Sequence, residues 1–296
     1  MNLMTQYIVA YDVGGSHATA ALAHSSTLEL TAVQSSSLDS GGPAQAVLDA
    51  LAAVGQKAVA AEKEAEVLGI GMAMPGPFDY EQGICYIRGL TKYDQLYGVN
   101  FRQEMAARFP GIAPEAVRFI NDARASLLGE IHRGAAVGAR RVIGLTLGTG
   151  IGSAFAVDGH LVESGPGVPP GGYIYCLPWR DGIIEDVISS RGLQQRYRQT
   201  TGETSDVREI AARASRDPVA HKVMQDFGQA LGEVLLPLVE GFAPDVIVLG
   251  GAIAKSAPLF LPTTQTVLAR TEVRLAASAL IDLAALVGAA AAWRGV

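Results

Sequence analysis

Two glycine-rich turns, one in each half of the chain, most constrain what this sequence can fold into. The first, residues 12–19 (DVGGSHAT), follows the apolar run 7–11 and continues into a second run, 20–23. The other turn, residues 147–153 (LGTGIGS), follows the run 142–147 and continues into 154–157. Each turn is therefore expected to join two strands of a hairpin. Because glycine lets backbone N–H groups approach an anion closely, and Ser or Thr adds hydroxyl donors, the two hairpins predict a polyphosphate site.

The second turn differs from a dinucleotide-binding loop. That loop requires a helix after its glycines, whereas residues 153–157 have the pattern of a strand, followed by Asp158-Gly159 as a hairpin turn. A Walker A lysine motif is also absent from the sequence. The pattern thus predicts a nucleotide held by hairpins and a phosphotransferase chemistry.

The remaining sequence alternates strands and helices. Further strands are predicted over residues 28–33, 67–74, 117–120 and 246–249, and helices over residues 43–64, 101–109, 123–136, 182–195, 221–242 and 281–293. Residues 35–42 and 165–170 have the composition of loops. Such alternation predicts mixed or parallel sheets that are covered on both faces. Since each half has a glycine-turn hairpin and a later strand that ends in glycine, we expect a duplicated α/β lobe.

Composition excludes several classes of protein. The 296 residues, 49% of them hydrophobic, are enough for two domains, and the net charge of −6 argues against a nucleic-acid partner. The first predicted strand starts within ten residues of Met1, so we expect no helix-turn-helix domain before it. No segment has the ~18 consecutive apolar residues of a membrane span, and residues 1–6 lack a signal-peptide pattern, so no membrane partner and a cytoplasmic location are expected.

Polar residues at the ends of predicted strands are candidates for chemistry. Asp12 could hold Mg²⁺ or its waters, or could be a turn aspartate that bonds to its own backbone. Asn121 could fix a substrate hydroxyl and Asp122 could accept its proton, or the pair could cap the next helix. Gly250 and Gly251 could let the backbone lie flat against a purine, or could form a tight strand-to-helix turn.

Taken together, these motifs resemble the ROK family of bacterial sugar kinases and related repressors. The resemblance rests on residues 12–19, Pro75-Gly76-Pro77, Asn121-Asp122-Ala123, residues 148–152 and Gly250-Gly251, in the same order over nearly the whole chain. It implies an α/β, two-lobed actin-like (ribonuclease-H-like) ATPase fold, with ATP and sugar meeting at the interlobe cleft. The N-terminal lobe would comprise residues 1–120 with 281–296, and the C-terminal lobe residues 121–280. A homodimer is a further expectation from the family.

The resemblance also implies roles for individual residues. The sugar would be phosphorylated at its 6-hydroxyl with Asp122 as the general base, and Asp12 would hold the magnesium of Mg-ATP through water. The phosphates and adenosine would be bound by Asp12, Gly14, Gly15, Ser16, Thr19, Gly148, Thr149, Gly150, Gly250 and Gly251. The sugar would be bound by Gly76, Asn121, Asp122, Tyr173 and Glu185. Glu185 fits the family's sugar-binding glutamate, although its position also suits an ordinary helix-start carboxylate.

The sequence departs from the family in its sugar and zinc motifs. Residues 169–179 (PPGGYIYCLPW) lack the Glu and His of the family's Glu-x-Gly-His motif, and of the family's zinc-binding cysteines only Cys176 has a counterpart. A single thiolate cannot complete a structural zinc site, so we predict no zinc. Tyr173, Tyr175 and Trp179 are expected to supply an aromatic wall in place of the lost sugar ligands.

The sequence leaves the substrate open. A glucokinase-like hexose kinase is the main prediction; the alternatives are an N-acetylhexosamine kinase and a non-catalytic sensor of sugar or nucleotide. The phosphoryl donor, ATP or polyphosphate, is not decided by the residues.

Overall fold

The computed structural model describes residues 5–89 and 93–295. Of residues 1–6, for which no signal peptide is expected, residues 1–4 lie outside the described residues. In chain order its strands are β1 (Thr5–Val13), β2 (His17–His24), β3 (Leu30–Ser37), β4 (Ala65–Met74), β5 (Phe78–Asp79), β6 (Ile84–Cys85), β7 (Val117–Asn121), β8 (Arg141–Leu147), β9 (Ile151–Val157), β10 (His160–Val162), β11 (Pro178–Trp179), β12 (Gly182–Ile183), β13 (Val246–Gly250) and β14 (Arg274–Ala277). Its helices are α1 (Ala44–Ala60), α2 (Phe101–Arg108), α3 (Asp122–Arg133), α4 (Ile184–Val187), α5 (Ser190–Thr201), α6 (Val207–Arg213), α7 (Pro218–Phe242), α8 (Ala257–Val267) and α9 (Ala284–Arg294). Short 3₁₀ turns lie at Asp94–Leu96, Pro114–Ala116, Pro170–Gly172, Ile253–Ser256 and Ile281–Leu283.

The chain divides into two compact units. Unit 1 is Met1–Arg133 with Leu283–Val296, and unit 2 is Gly134–Asp282. The lobes expected from the sequence, 1–120 with 281–296 and 121–280, differ from this division because α3 belongs to unit 1. The physical reason is the contact of α3 with α9, where a Cβ on Gly288 would lie 1.7 Å from the carbonyl oxygen of Ala125. The two helix backbones therefore touch directly, and α3 cannot be assigned to the other unit.

Each unit contains a five-stranded sheet with the same plan. In unit 1 the order is β3-β2-β1-β4-β7, and in unit 2 it is β10-β9-β8-β13-β14. In both sheets the first three strands in chain order pair antiparallel, and the last two add in parallel. The two units thus contain sheets of the same plan, which confirms the predicted duplication of an α/β lobe.

Each sheet is covered by helices with a core of its own. In unit 1, α1 packs on one side of the sheet and the alanine-rich α9 on the other, where a Cβ on Gly71 of β4 would lie 2.4 Å from the carbonyl oxygen of Ala289. Alanine and glycine permit this close approach, which explains the composition of the C-terminal tail. In unit 2, the apolar face of α7 lies in the core and α8 packs against it. No helix within the described residues is long and apolar enough to cross a membrane.

Several predicted elements differ from those observed. The loop predicted from residue 35 begins later, because Ser35, Ser36 and Ser37 extend β3 and pair with β2. The single helix predicted over residues 182–195 is wrong: it is divided into β12, α4 and α5. Ser189 is the reason, since its extended backbone breaks the helix and its hydroxyl accepts a hydrogen bond from the N–H of Gly192 (3.2 Å), which starts a new one. The helices α6 and α8 and the strand β14 were not predicted.

Candidate active site

The glycine turn of unit 1 is anchored through its carbonyl groups. Tyr93 donates its hydroxyl to the carbonyl oxygen of Gly14, Ser40 donates its hydroxyl to that of Gly15 (2.5 Å), and the N–H of Leu38 donates to that of Ser16 (2.8 Å). Burial and the neighbouring charges of Cys85 and Asp12 raise the pKa of Tyr93, so this hydroxyl stays protonated and able to donate. The predicted phosphate turn is therefore held in one conformation before any ligand binds.

This anchoring directs the N–H groups of the turn. In a trans peptide the carbonyl and the N–H point in opposite directions, and the carbonyl of Gly14 shares its peptide plane with the N–H of Gly15. The same relation joins the carbonyl of Gly15 to the N–H of Ser16. Because both carbonyls point toward Tyr93 and Ser40, both N–H groups point the other way. Two backbone donors of this turn are therefore directed away from the anchoring side chains, where an anion could accept from them.

Asp12 and Thr19 lie opposite each other across the hairpin. They are partners in the antiparallel pairing of β1 with β2, so their side chains share one face of the sheet. The hydroxyl of Thr19 is within hydrogen-bonding distance of the hydroxyl of Ser35 (2.8 Å). Thr19 thus ties β2 to β3, a structural contact that the sequence did not predict.

Asn121 and Asp122 lie at the junction of β7 and α3 and form a small hydrogen-bonded network. The Oδ1 of Asn121 accepts from the N–H groups of Ala123 (3.1 Å) and Arg124 (3.3 Å), so Asn121 caps the helix. Its Nδ2 donates to the Oδ1 of Asp122 (2.9 Å), which also accepts from the N–H of Ala123 (2.8 Å). The capping alternative thus holds for Asn121, and the same capping amide fixes the orientation of the Asp122 carboxylate.

Tyr80 extends this network toward Gly76. Its hydroxyl accepts from the Nδ2 of Asn121 (3.2 Å) and donates to the carbonyl oxygen of Met74 (3.2 Å). A Cβ on Gly76 would lie 3.4 Å from the same hydroxyl. The structure therefore brings Gly76, Asn121 and Asp122 to one edge of the unit 1 sheet, where β4 and β7 end side by side. Tyr80 was not predicted as a site residue, because nothing in its local sequence indicates the contact with Asn121.

The glycine turn of unit 2 is held by the start of α5. Ser190 donates both its N–H (2.8 Å) and its hydroxyl (2.9 Å) to the carbonyl oxygen of Gly148. The N–H of Gly148 in turn donates to the carbonyl oxygen of Gly150 (3.0 Å). Since the carbonyl of Gly148 points toward Ser190, the N–H of Thr149 points away from it. A Cβ on Gly148 would meet nothing within 4 Å, so this side of the turn has open space.

Glu185 lies directly against this turn. Its Oε2 accepts from the N–H of Ile151 (3.2 Å), and a Cβ on Gly150 would lie 2.3 Å from that oxygen. Its backbone N–H donates to the carbonyl oxygen of Tyr175 (3.1 Å). The family resemblance implies that Glu185 binds the sugar; its contact with the turn of Gly148, Thr149 and Gly150 was not predicted.

Gly250 and Gly251 have different surroundings. Gly251 has a φ of +85°, and a Cβ on it would lie 2.5 Å from the carbonyl oxygen of Leu147, so the backbone packs tightly on the end of β8. Around Gly250 a Cβ would find its nearest atom at 3.6 Å. The tight turn after β13 is therefore present. The contact with adenosine remains a prediction.

The three aromatic residues of the expected wall do not share one environment. The rings of Tyr173 and Tyr175 pack edge to face with centroids 5.9 Å apart, and Tyr175 is exposed. Trp179 packs instead against the hydrophobic core of unit 2, with the guanidinium of Arg180 over its ring. Tyr173 and Tyr175 thus remain candidates for contact with a ligand.

The residues present suit Mg-ATP. Each glycine turn has its carbonyl groups fixed and backbone N–H groups directed away from the anchor, which is the donor set that phosphate oxygens require. Asp12 adds a carboxylate beside the first turn, the ligand type that Mg²⁺ or its waters prefer. Among residues 5–89 and 93–295, no group of three or more His, Cys, Asp or Glu side chains could hold a metal ion. The absence of zinc remains a prediction.

The chain is similar to a known protein family and to sugar kinases. A sequence model of the ROK family matches residues 8–296. The glucokinase of Thermotoga maritima is 28% identical over 260 residues, which cover 77% of this chain and 79% of that protein. The N-acetylgalactosamine kinase AgaK of Shewanella sp. (strain ANA-3) is 32% identical over 152 residues, 46% of this chain and about half (49%) of the relative.

A solved structure is similar to this chain over nearly its whole length. The ROK hexokinase from Thermus thermophilus has a TM-score of 0.78 and 25% identity, and the match covers 96% of each chain. The predicted α/β, actin-like two-domain ATPase fold is therefore confirmed.

Proposed function

The chain belongs to the ROK family, and we propose that it is an ATP-dependent hexose kinase that phosphorylates the 6-hydroxyl of its sugar. Its likeness to a glucokinase and to a hexokinase supports a sugar as the phosphoryl acceptor. The single observation that carries the proposal is the network at the β7–α3 junction. There Asn121 fixes the orientation of Asp122 and donates to the hydroxyl of Tyr80, which lies near the glycine of the Pro-Gly-Pro motif.

In this proposal Asp122 is the general base. The sugar hydroxyl loses its proton to Asp122 while its oxygen attacks the γ-phosphorus of ATP, and ADP leaves. The two donors on Oδ1, from Asn121 and Ala123, orient the carboxylate so that it needs no reorganisation during the reaction. The backbone at Gly76, Tyr173 and Glu185 would bind sugar hydroxyls. Asn121, whose amide is fully hydrogen-bonded, would do so in place of one of its present partners, such as Tyr80.

The nucleotide would be bound by the two glycine turns. The N–H groups of Gly15 and Ser16 would donate to the phosphates, with Gly14 and Thr19 shaping the hairpin. The turn of Gly148, Thr149 and Gly150 would donate through the N–H of Thr149, since the N–H of Gly148 is bonded to the carbonyl of Gly150. Gly250 and Gly251 would lie against the adenosine. Asp12 would hold Mg²⁺ through water, and the ion, when bound, neutralises charge on the phosphate oxygens.

An N-acetylhexosamine kinase is the second candidate. The likeness to AgaK supports it, although that match covers less than half of this chain. A sensor that binds sugar or nucleotide without catalysis is the third, motivated by the missing Glu-x-Gly-His motif. The presence of Asp122 in an ordered network argues for a kinase over the sensor.

A substrate panel tests these alternatives. ADP release is measured with Mg-ATP, and separately phosphate transfer with polyphosphate, over glucose, mannose, fructose, allose and N-acetylated hexosamines. Turnover on hexoses supports the main proposal, and turnover on N-acetylated sugars alone supports the second candidate. If the protein binds Mg-ATP and a sugar but turns over nothing in the panel, the kinase proposal is contradicted.

A further inference from the structure

The contact between Glu185 and the unit 2 turn requires Gly150 to be glycine. A Cβ at this position would lie 2.3 Å from the Oε2 of Glu185 and 3.1 Å from its Cδ, far inside ordinary contact distance. The backbone itself does not require glycine, because the φ of Gly150 is not positive. The residue at position 150 therefore makes room for a carboxylate directly on the turn.

Glu185 is not needed to shape the turn. Ser190 already holds the carbonyl oxygen of Gly148 with two hydrogen bonds, and the N–H of Gly148 closes onto the carbonyl of Gly150. What Glu185 adds is a hydrogen bond to the N–H of Ile151 and a negative charge at 3.2 Å from that nitrogen. Both act against a phosphate, because the donor is occupied and like charges repel.

The backbone of Glu185 is fixed while its side chain can move. Its N–H donates to the carbonyl oxygen of Tyr175, which places the residue next to the Tyr173–Tyr175 pair. The side chain has three rotatable bonds and lies at the start of the four-residue helix α4. A ligand that hydrogen-bonds to this carboxylate can therefore draw it off the turn without moving the backbone.

We propose that Glu185 couples the two substrates. Without sugar, its carboxylate occupies the Ile151 N–H and weakens phosphate binding at the turn of Gly148, Thr149 and Gly150. A sugar hydroxyl that binds the carboxylate removes it from the turn, and nucleotide binding becomes tighter. Glu185 is thus a positioning residue that favours binding of the sugar before ATP, an inference that rests on the proposed kinase function.

Nucleotide affinity in the absence of sugar tests this role. Calorimetry measures the dissociation constant of the protein for the Mg²⁺ complex of AMPPNP, a non-hydrolysable ATP analogue. The proteins compared are the wild type, Glu185→Gln and Glu185→Ala. We expect both variants to bind Mg-AMPPNP at least about fivefold more tightly than the wild type does. A fivefold change is the lower end of the usual range of coupling between two sites. A structural role for Glu185 predicts the opposite sign, because loss of a supporting hydrogen bond would weaken binding. Sugar-independent release of ADP from ATP should rise in the same variants.

A charge-matched control separates the contact from net charge. Asp181 is an exposed carboxylate in the preceding hairpin turn, so Asp181→Asn removes the same charge and should leave the affinity unchanged. Equal or weaker binding in both Glu185 variants, or equally tightened binding in Asp181→Asn, overturns the inference while the kinase proposal stands. Failure of the wild type to bind Mg-AMPPNP with or without sugar overturns the proposed function as well.

Discussion

Substituting Gly288 by alanine should reveal how closely α3, which carries the proposed general base Asp122, depends on the C-terminal helix α9. Gly288 lies in α9, and α3 carries Asp122 at its first residue. A Cβ on Gly288 would lie 1.7 Å from the carbonyl oxygen of Ala125 and 2.5 Å from its carbonyl carbon. These are backbone atoms within a helix, so no side-chain rotation can relieve the overlap.

The size of the effect follows from that distance. Ordinary contacts of this kind begin at 3.4 Å, so the two helices must separate by roughly the difference between 3.4 Å and 1.7 Å. Overpacking in a core costs about 1–3 kcal/mol, and an overlap this large belongs at the upper end. The gain in helix propensity from Gly to Ala, about 1 kcal/mol, offsets only part of it. We expect a net loss of about 2 kcal/mol, or roughly 4–8 °C in Tm for a chain of this size.

The same displacement should lower activity, because a misplacement of about 1 Å at a catalytic group can cost roughly 100-fold in rate. Thermal unfolding by circular dichroism and kcat on the best sugar of the panel would be measured together. Gly241→Ala is the matched control: Gly241 is an exposed glycine in α7 whose Cβ would meet only the Cα of Gly167, at 3.2 Å. A Gly288→Ala protein with the Tm and kcat of the control would refute the packing argument.

Three further substitutions have defined expectations. Tyr80→Phe removes the hydroxyl that accepts from Asn121, a bond worth about 1 kcal/mol, and should lower kcat roughly fivefold in steady-state assays; it also leaves the carbonyl of Met74 without that donor and should lower stability by about 1–3 kcal/mol. Tyr93→Phe leaves the carbonyl of Gly14 without that donor and should raise the KM for ATP several-fold while lowering stability by about 1–3 kcal/mol; an unchanged KM would contradict the anchoring role. Backbone N–H groups of Arg141 and Arg140 lower the pKa of Asp245 in the folded protein. The carboxylate therefore stabilises the fold fully above the pKa of the unfolded carboxyl, about 4. This stabilisation is lost as the pH falls through the lower pKa of the folded state. Asp245→Asn should therefore reduce Tm at neutral pH but not in strong acid, as thermal scans over a pH series would show.

The sequence predicted the parts of the site that depend on local pattern. Apolar runs ending in glycine located β1 and β8 with their turns, because strand periodicity and glycine both act over a few residues. The polar pair Asn121-Asp122 at the junction of β7 and α3 was predicted for the same reason. Capping of the helix and a role in the site were alternative predictions for Asn121, whereas the structure shows that one side chain caps the helix and also holds Asp122.

The residues that anchor the site could not be found in this way. Tyr93 is 79 residues from Gly14, Tyr80 is 41 residues from Asn121, and the segment around each lacks a recognisable motif. The predicted boundary between the lobes also differs from the division observed, because the packing of α3 on α9 joins parts of the chain that are distant in sequence. Such contacts depend on tertiary geometry, which no local pattern contains.

The most direct test of the central proposal is a comparison of Asp122→Asn with the wild type. The substitution preserves shape and an oxygen that can accept from Asn121 and Ala123, but it removes the group that accepts the proton. We expect kcat to fall by about 10²–10⁴-fold, the usual contribution of a general base, while the sugar dissociation constant, measured by calorimetry, changes little. Near-wild-type kcat with unchanged sugar binding would contradict the assignment of Asp122 and the mechanism built on it.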